Sequence, residues 1–298
     1  MRHFILIPHL KIHNANAMSS PYSIGFPAMT AWLGAVHALQ RKLQAQGFTD
    51  LTLDRVAVSC HHFELQTYKG QGDYVHSIIG TANPLDKDGS RPAFIEEARC
   101  HLEVSLLIEC QNFDIDPDEI QAFLEQLQNH VLQMKFASGD VFAVKGCEQI
   151  KFDEYADQNA VLKPILNKLM LGHVLIERRD LVITSMSEGK DALDAILDYL
   201  KVSYSSTLDE DGEVVWSANR KSSGWIVPIA IGFQGISELG QATNQRDFKT
   251  QHRFAESVIT LGEFVMPYRI RNIDQMLWQY KVDLEQNLYL CQNQLTTN

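Results

Sequence analysis

The chain opens with a short apolar run, Phe4-Ile5-Leu6-Ile7, soon interrupted by Pro8, His9 and Lys11, and residues 3–13 read as a strand. From Pro27 through Leu33, Val36 and Leu43 to Gly47 the apolar positions recur at helical spacing and end in a glycine stop. Alternation at Leu51, Leu53, Val56 and Val58 predicts a second strand over 51–60. The segment 61–95 is dense in turn formers (Gly70, Gly72, Gly80, Pro84, Asp88-Gly89, Pro92) and predicts a projecting hairpin arm. In Arg99–Ile108 polar and apolar positions alternate and then turn wholly apolar, which predicts a third strand. A helix follows from Asp116-Pro117-Asp118-Glu119, with Ile120, Phe123, Leu124, Leu127 and Val131 on one face, and residues 141–150 read as a fourth strand.

This order, β-α-β, an arm, then β-α-β, fits an α+β fold with a ferredoxin-like core of the kind found in RNA-recognition motifs. The expected organisation is a ferredoxin-like unit over 1–150 and a mixed, helix-rich region over 151–298 packed on it. In the second part helices are expected at 160–171, 189–201, 253–264 and 273–281, a strand at 224–233, and an acidic turn at Asp209-Glu210-Asp211-Gly212.

With 298 residues, 45% of them apolar, the chain can bury one large core or two smaller ones. The opening apolar run is too short for a signal-peptide core and nothing approaches a membrane span, so a cytoplasmic protein is expected. Five dispersed cysteines without a CxxC spell neither a disulfide framework nor a zinc ribbon. A net charge of −11 opposes free-standing nucleic-acid binding unless cations cluster on one face or a neighbouring subunit completes the groove.

Catalytic motifs are sparse. His101-x-Glu103 has the H-x-E spacing of zinc deaminases but lacks the downstream P-C-x-x-C; on a strand the two residues share a face, and the plainer reading is a hydrogen-bonded pair or an ion pair with Arg99. His61 and His62 are adjacent and so are expected on opposite faces, which argues against a shared metal. No nucleotide-binding glycine motif or serine elbow occurs, so no cofactor and no metal is expected. The most unusual segment is Asn14-Ala15-Asn16-Ala17-Met18-Ser19-Ser20-Pro21 with Gly25-Phe26-Pro27, whose amides and hydroxyls before a helix suit phosphates and base edges, or equally a turn and helix cap.

These residues carry a resemblance. N-A-N-A-M-S-S-P at 14–21, G-F-P at 25–27 and V-H-A-L-Q-R at 36–41 resemble the amino-terminal signature of the Csy-two family, the Cas-five-class subunits of type I-F CRISPR surveillance complexes. C-H-H-F-E at 60–64, N-P-L-D-K-D-G-S at 83–90, R-C-H-L-E-V-S-L-L at 99–107, G-W-I-V-P-I at 224–229, R-F-A-E at 253–256 and L-G-E-F at 261–264 match in the same order. Phe264 stands where the family carries tryptophan, and 150–215 matches no motif and is short for the family.

The resemblance implies a non-catalytic subunit that holds the 5′ handle of the CRISPR RNA. It would pair with the large Cas-eight-class subunit, adjoin a Cas-seven-class backbone subunit and meet target DNA only through the complex; a separate endonuclease cuts the guide. Carried onto this chain, the RNA-binding candidates are Asn14, Asn16, Ser19, Ser20, Phe26 (stacking), Gln40 and Arg41, followed by His61, His62, Arg253 and Arg269. Trp225 and Trp278 read as core or interface aromatics. Two rival readings stand beside this: a metal-dependent RNA-processing enzyme using His101 and Glu103, and a scaffold that touches only protein.

Overall fold

The strand expected at 3–13 runs from Arg2 to Asn16 (β1) in the computed structural model, which describes residues 1–79, 85–90, 97–153, 155, 158–245 and 247–293. A small pair, Met18–Ser20 (β2) and Ser23–Ile24 (β3), leads into helix Met29–Gln44 (α1). Strand Thr52–Leu65 (β4) follows, then the paired Thr67–Tyr68 (β5) and Ser77–Ile78 (β6), strand Arg99–Gln111 (β7) and helix Ile120–Leu132 (α2). β5 and β6 form the base of the turn-rich 61–95 segment; its residues 80–84 and 91–95 lie outside the described residues. Lys135–Phe136 (β8), Gly139–Ala143 (β9) and Glu148–Phe152 (β10) close the first half. The single strand expected at 141–150 is therefore two: β9 pairs with Lys11–His13 of β1, whereas β10 pairs with Arg2–Leu6 at its other end.

The second half holds helices Gln158–Leu169 (α3), Arg179–Ser187 (α4) and Ala192–Leu200 (α5) and strand His173–Glu177 (β11). A hairpin, Ser203–Leu208 (β12) and Val214–Asn219 (β13), turns at the acidic Asp209–Gly212. Strands Trp225–Gly235 (β14), Ala255–Val265 (β15), Gln279–Asp283 (β16) and Leu288–Gln292 (β17) complete it. It was expected to be helix-rich, but sheet dominates. The helix expected at 253–264 is β15: its spacing Val258, Ile259, Leu261, Phe264, Val265 imitates a helix, yet the segment pairs on both sides, with β14 and β11. That at 273–281 is a 3-10 turn, Ile273–Gln275, followed by β16.

The result is a mixed α+β fold built on one antiparallel sheet of eleven strands, in the order β16-β17-β14-β15-β11-β4-β7-β1-β9-β8, with β10 also on β1. The sheet crosses residue 150 through the β4–β11 pairing, and Val56 bridges to Trp278. Trp278 is fully buried and its Nε1–H donates to the Leu175 carbonyl at 2.9 Å, whereas Trp225 is half exposed.

One face of the sheet is apolar along its length: Ile5, Ile7, Leu10 and Ile12 of β1, Val56 and Val58 of β4, and Leu102, Val104, Leu106 and Ile108 of β7 pack against α1 and α2. On the other face Phe4, Leu6, Ala57 and Leu107, with Phe152, Val174 and Val265 of neighbouring strands, are covered by α3 and the segment 270–277. This explains why β7 alternates at 99–105 and is wholly apolar at 106–108: the alternating part has one face open, and the apolar part is buried on both.

Candidate nucleic-acid interface

Beyond the edge of α3 the far face of β1, β4 and β7 is polar. β1 presents His9, Lys11 and His13, β7 presents His101, Glu103 and Ser105, and β4 presents His61 and His62. The sheet is irregular here. β1 slips register between Ile7 and Leu10 and again between Ile12 and Ala15, with His9 and Asn14 at positive φ (50° and 59°). β4 bulges between Cys60 and His62, so His61 contacts Ser105 while His62 lines the neighbouring hollow. The two adjacent histidines thus share a face, against the alternation expected, because the bulge inserts one extra residue.

The imidazoles stack in pairs. The rings of His13 and His101 lie 4.0 Å apart at 19°, and those of His9 and His61 4.4 Å apart at 21°. Glu103 lies among them, with Oε1 2.6 Å from His9 Nδ1 and Oε2 3.7 Å from Lys11 Nζ. Partial burial pushes its carboxyl upward, but the His9 hydrogen bond and the Lys11 and His9 charges outweigh that and hold it below the usual range. The plainer reading, a hydrogen-bonded pair with His101 or an ion pair with Arg99, is not what the described residues show for Glu103: it meets His9 and Lys11, and Arg99 bonds Glu97. His61 hydrogen-bonds Ser105 Oγ at 2.7 Å. Burial, with His9, Lys145 and His173 nearby, depresses it to about 4, so its ring is neutral at physiological pH.

A hollow of about 240 Å³ lies beside the His13–His101 pair, lined by Lys11, His13, His62, His101 and Glu103, with the 81%-exposed ring of Phe142 from β9 at its edge. β9 comes this close because residue 139 is glycine; a Cβ there would lie 2.6 Å from Ile12 Cγ2. Half-open imidazole planes, an exposed phenyl ring and a lysine suit stacked bases and phosphates. Among the described residues no group of three or more His, Cys, Asp or Glu is placed to hold a metal ion.

The candidates read from sequence do not gather in one place. Asn14, His61 and His62 lie on this face; Asn14 N–H donates to His101 Nδ1 at 3.1 Å and its Oδ1 accepts from Gln66 at 3.0 Å. Asn16 ends β1 and Ser19 and Ser20 lie in β2, and their side chains are engaged locally. Asn16 Oδ1 accepts from Met18 N–H, and the Ser19 and Ser20 hydroxyls meet Ser23 Oγ at 3.0 and 2.7 Å. Phe26, expected to stack on RNA, is 5% exposed and packs between Trp32 and Phe264 in the core. Gln40 is likewise occupied, its Oε1 accepting from Leu53 N–H at 2.8 Å. Arg41 is exposed in the last turn of α1, at the end of the sheet remote from Asn14. Arg253 bonds Asn287 beside Gly235, and Arg269 is exposed in the turn Pro267–Arg269.

The sequence reading missed His9, Lys11, His13 and Phe142. A signal was present: positions 9, 11 and 13 flank Leu10 and Ile12, the same one-open-face alternation that marks 101, 103 and 105. No helix among the described residues is long and apolar enough to cross a membrane.

Comparison with known proteins agrees with the motif pattern. The model of a CRISPR-associated protein family, Cas_Csy2, matches residues 5–291. The CRISPR-associated protein Csy2 of Pseudomonas aeruginosa (strain UCBPP-PA14) is 33% identical over 311 aligned positions, covering 96% of this chain and 93% of its own. With the match running from the first strand to the last, the chain belongs to the Csy2 family of CRISPR-associated proteins.

Proposed function

We propose that the protein is a non-catalytic, RNA-binding subunit of a type I-F CRISPR surveillance complex in the cytoplasm. On this reading it holds the 5′ handle of the CRISPR RNA beside the large Cas-eight-class subunit and the first Cas-seven-class backbone subunit. The supporting observation is the open face: stacked imidazoles and Lys11 on the three strands β1, β4 and β7, with Phe142 of β9 at its edge and both helices of the first half packed behind. The strand order β9-β1-β7-β4 with α1 and α2 on one side supports reading this part as a ferredoxin-like core, a class of sheet that binds single-stranded RNA on the side opposite its helices. The acidic net charge is compatible with this role because the groove is completed by neighbouring subunits.

The test is binding of labelled handle RNA by the chain co-expressed with its large-subunit neighbour, across a salt series. Lys11→Ala/His13→Ala is expected to weaken binding about tenfold or more, the loss of a stacking plane and a phosphate contact, and to flatten the salt slope. Arg41→Ala, at the other end of the sheet, is expected to bind as the parent does. Unchanged affinity in the double variant would favour the protein-only scaffold.

A further inference from the structure

A second cluster of cations lies on the outer side of α3. α3 carries Lys163 and Asn167 along one edge, with Met170 just past its end, and the chain between β15 and β16 carries Tyr268, Arg269 and Arg271 past it. Between them is a cleft of about 360 Å³ with no carboxylate in its lining. Its floor is apolar, formed by Leu162, Leu166 and Ile270, each less than a tenth exposed. Its rim is the opposite: Tyr268 is 57% exposed, Lys163 and Arg271 are exposed, and Arg269, exposed too, follows Tyr268 in the chain just outside the lining. In a chain with eleven more acids than bases these three cations make no salt bridge among the described residues, whereas Lys168, also on α3, pairs with Glu148.

We propose that this cleft binds one unpaired nucleotide of a nucleic-acid strand, the base lying on Tyr268 over the apolar floor and the phosphates meeting Arg269, Arg271 and Lys163. A flat apolar floor, one exposed aromatic plane and a fork of free cations are the elements by which proteins hold single strands without reading sequence. A carboxylate ligand would use the cations but leave the floor and ring idle, and an apolar ligand would leave the cations without a partner. The cleft also adjoins the open face: Gly172, just past the end of α3, sits so close to His61 that a Cβ there would lie 3.0 Å from its ring. A strand leaving the imidazole face past α3 therefore reaches the cleft next. The inference goes beyond the handle reading and does not require it.

The test uses the full chain and two probes, a fluorescent uridylate octamer with one photoreactive 4-thiouridine, and AMP alone. Tyr268→Ala and Arg269→Ala/Arg271→Ala are each expected to weaken octamer binding about tenfold. The arginine double variant is also expected to lower the logarithmic salt slope by roughly 0.7 per cation removed. Tyr268→Phe, which keeps the ring, is expected to bind as the parent, and the cross-link is expected on the 268–271 segment. AMP binding lost in Tyr268→Ala would show that a free nucleotide suffices; AMP failing while the octamer binds would assign the site to a strand. Either supports the proposal. It is overturned if the parent chain binds no octamer, if the cleft variants bind it unchanged, or if cross-links fall only on the imidazole face. Lys11→Ala/His13→Ala separates the two readings: handle binding unchanged there, with octamer binding lost in the cleft variants, would sink the handle assignment and leave the cleft standing.

Discussion

The two ends of the sheet's far face are made from the same three strands and treat charge in opposite ways. At the covered end, beside the 270–277 segment, Glu109 is 2% exposed and engaged on both oxygens: Arg2 and Arg55 reach them at 2.6 and 2.5 Å, and both arginines also meet Asp274. At the open end Glu103 is partly exposed and its partners are a histidine and a lysine that also face solvent. A buried charge has to be satisfied by the fold itself, so the covered end is a structural device. The open end keeps imidazoles, a lysine and a phenyl ring half-solvated, available to a ligand.

Substitutions should separate the two ends. The largest effect is expected from Glu109→Ala, which takes from the part-buried guanidinium groups of Arg2 and Arg55 the buried carboxylate they share. It should cost about 3 kcal/mol or more, read as a lowered urea midpoint. A loss below about 1 kcal/mol would mean that water reaches the cluster, and the contrast would fail.

The junction of the two ends is His61. Its native value near 4 lies below the ordinary 6.5, so between those pH values the unfolded chain binds the extra proton. The stability it protects is complete above about pH 6.5 and is lost as pH falls toward 4. Allowing for its partial exposure, the loss is on the order of 2 kcal/mol. Urea melts at pH 7.5 and 4.5 should show this slope, and His61→Gln should flatten it; an equal slope in both would remove His61 from the account.

The smallest stability effect belongs to the open end. Phe142→Ala removes an 81%-exposed ring and should leave the urea midpoint within about 0.5 kcal/mol, while handle-RNA affinity falls severalfold. A destabilised but binding-competent variant would reverse the assignment.

The contrast was partly legible in the sequence. The change in β7 from alternation to a solid apolar run at 106–108 marks where α3 begins to cover the sheet, and α1 and α2 followed from their periodicity. The grouping of the imidazoles was not, because it depends on bulges at 7–10, 12–15 and 60–62 that shift faces without a composition signal. Phe26 illustrates the other failure. Between Gly25 and Pro27 it reads as a loop aromatic free to stack, yet Trp32 of α1 and Phe264, brought by the distant β15, enclose it. Nor does local pattern pair Arg2 and Arg55 with Asp274, or reveal that Ala255–Val265 is held as strand by neighbours on both sides.

The bridge between Val56 and Trp278 has a consequence for biosynthesis. β4 emerges from the ribosome early, but one of its edges is filled by β11 and by Trp278, which is made near the end of the chain. Until then the nascent protein carries an open, apolar strand edge, the kind of surface that recruits other strands. Closure must wait for the carboxyl-terminal segment. A chain cut short before Trp278 should therefore be handled by chaperones or proteases as an aggregation-prone intermediate, not as a smaller stable protein.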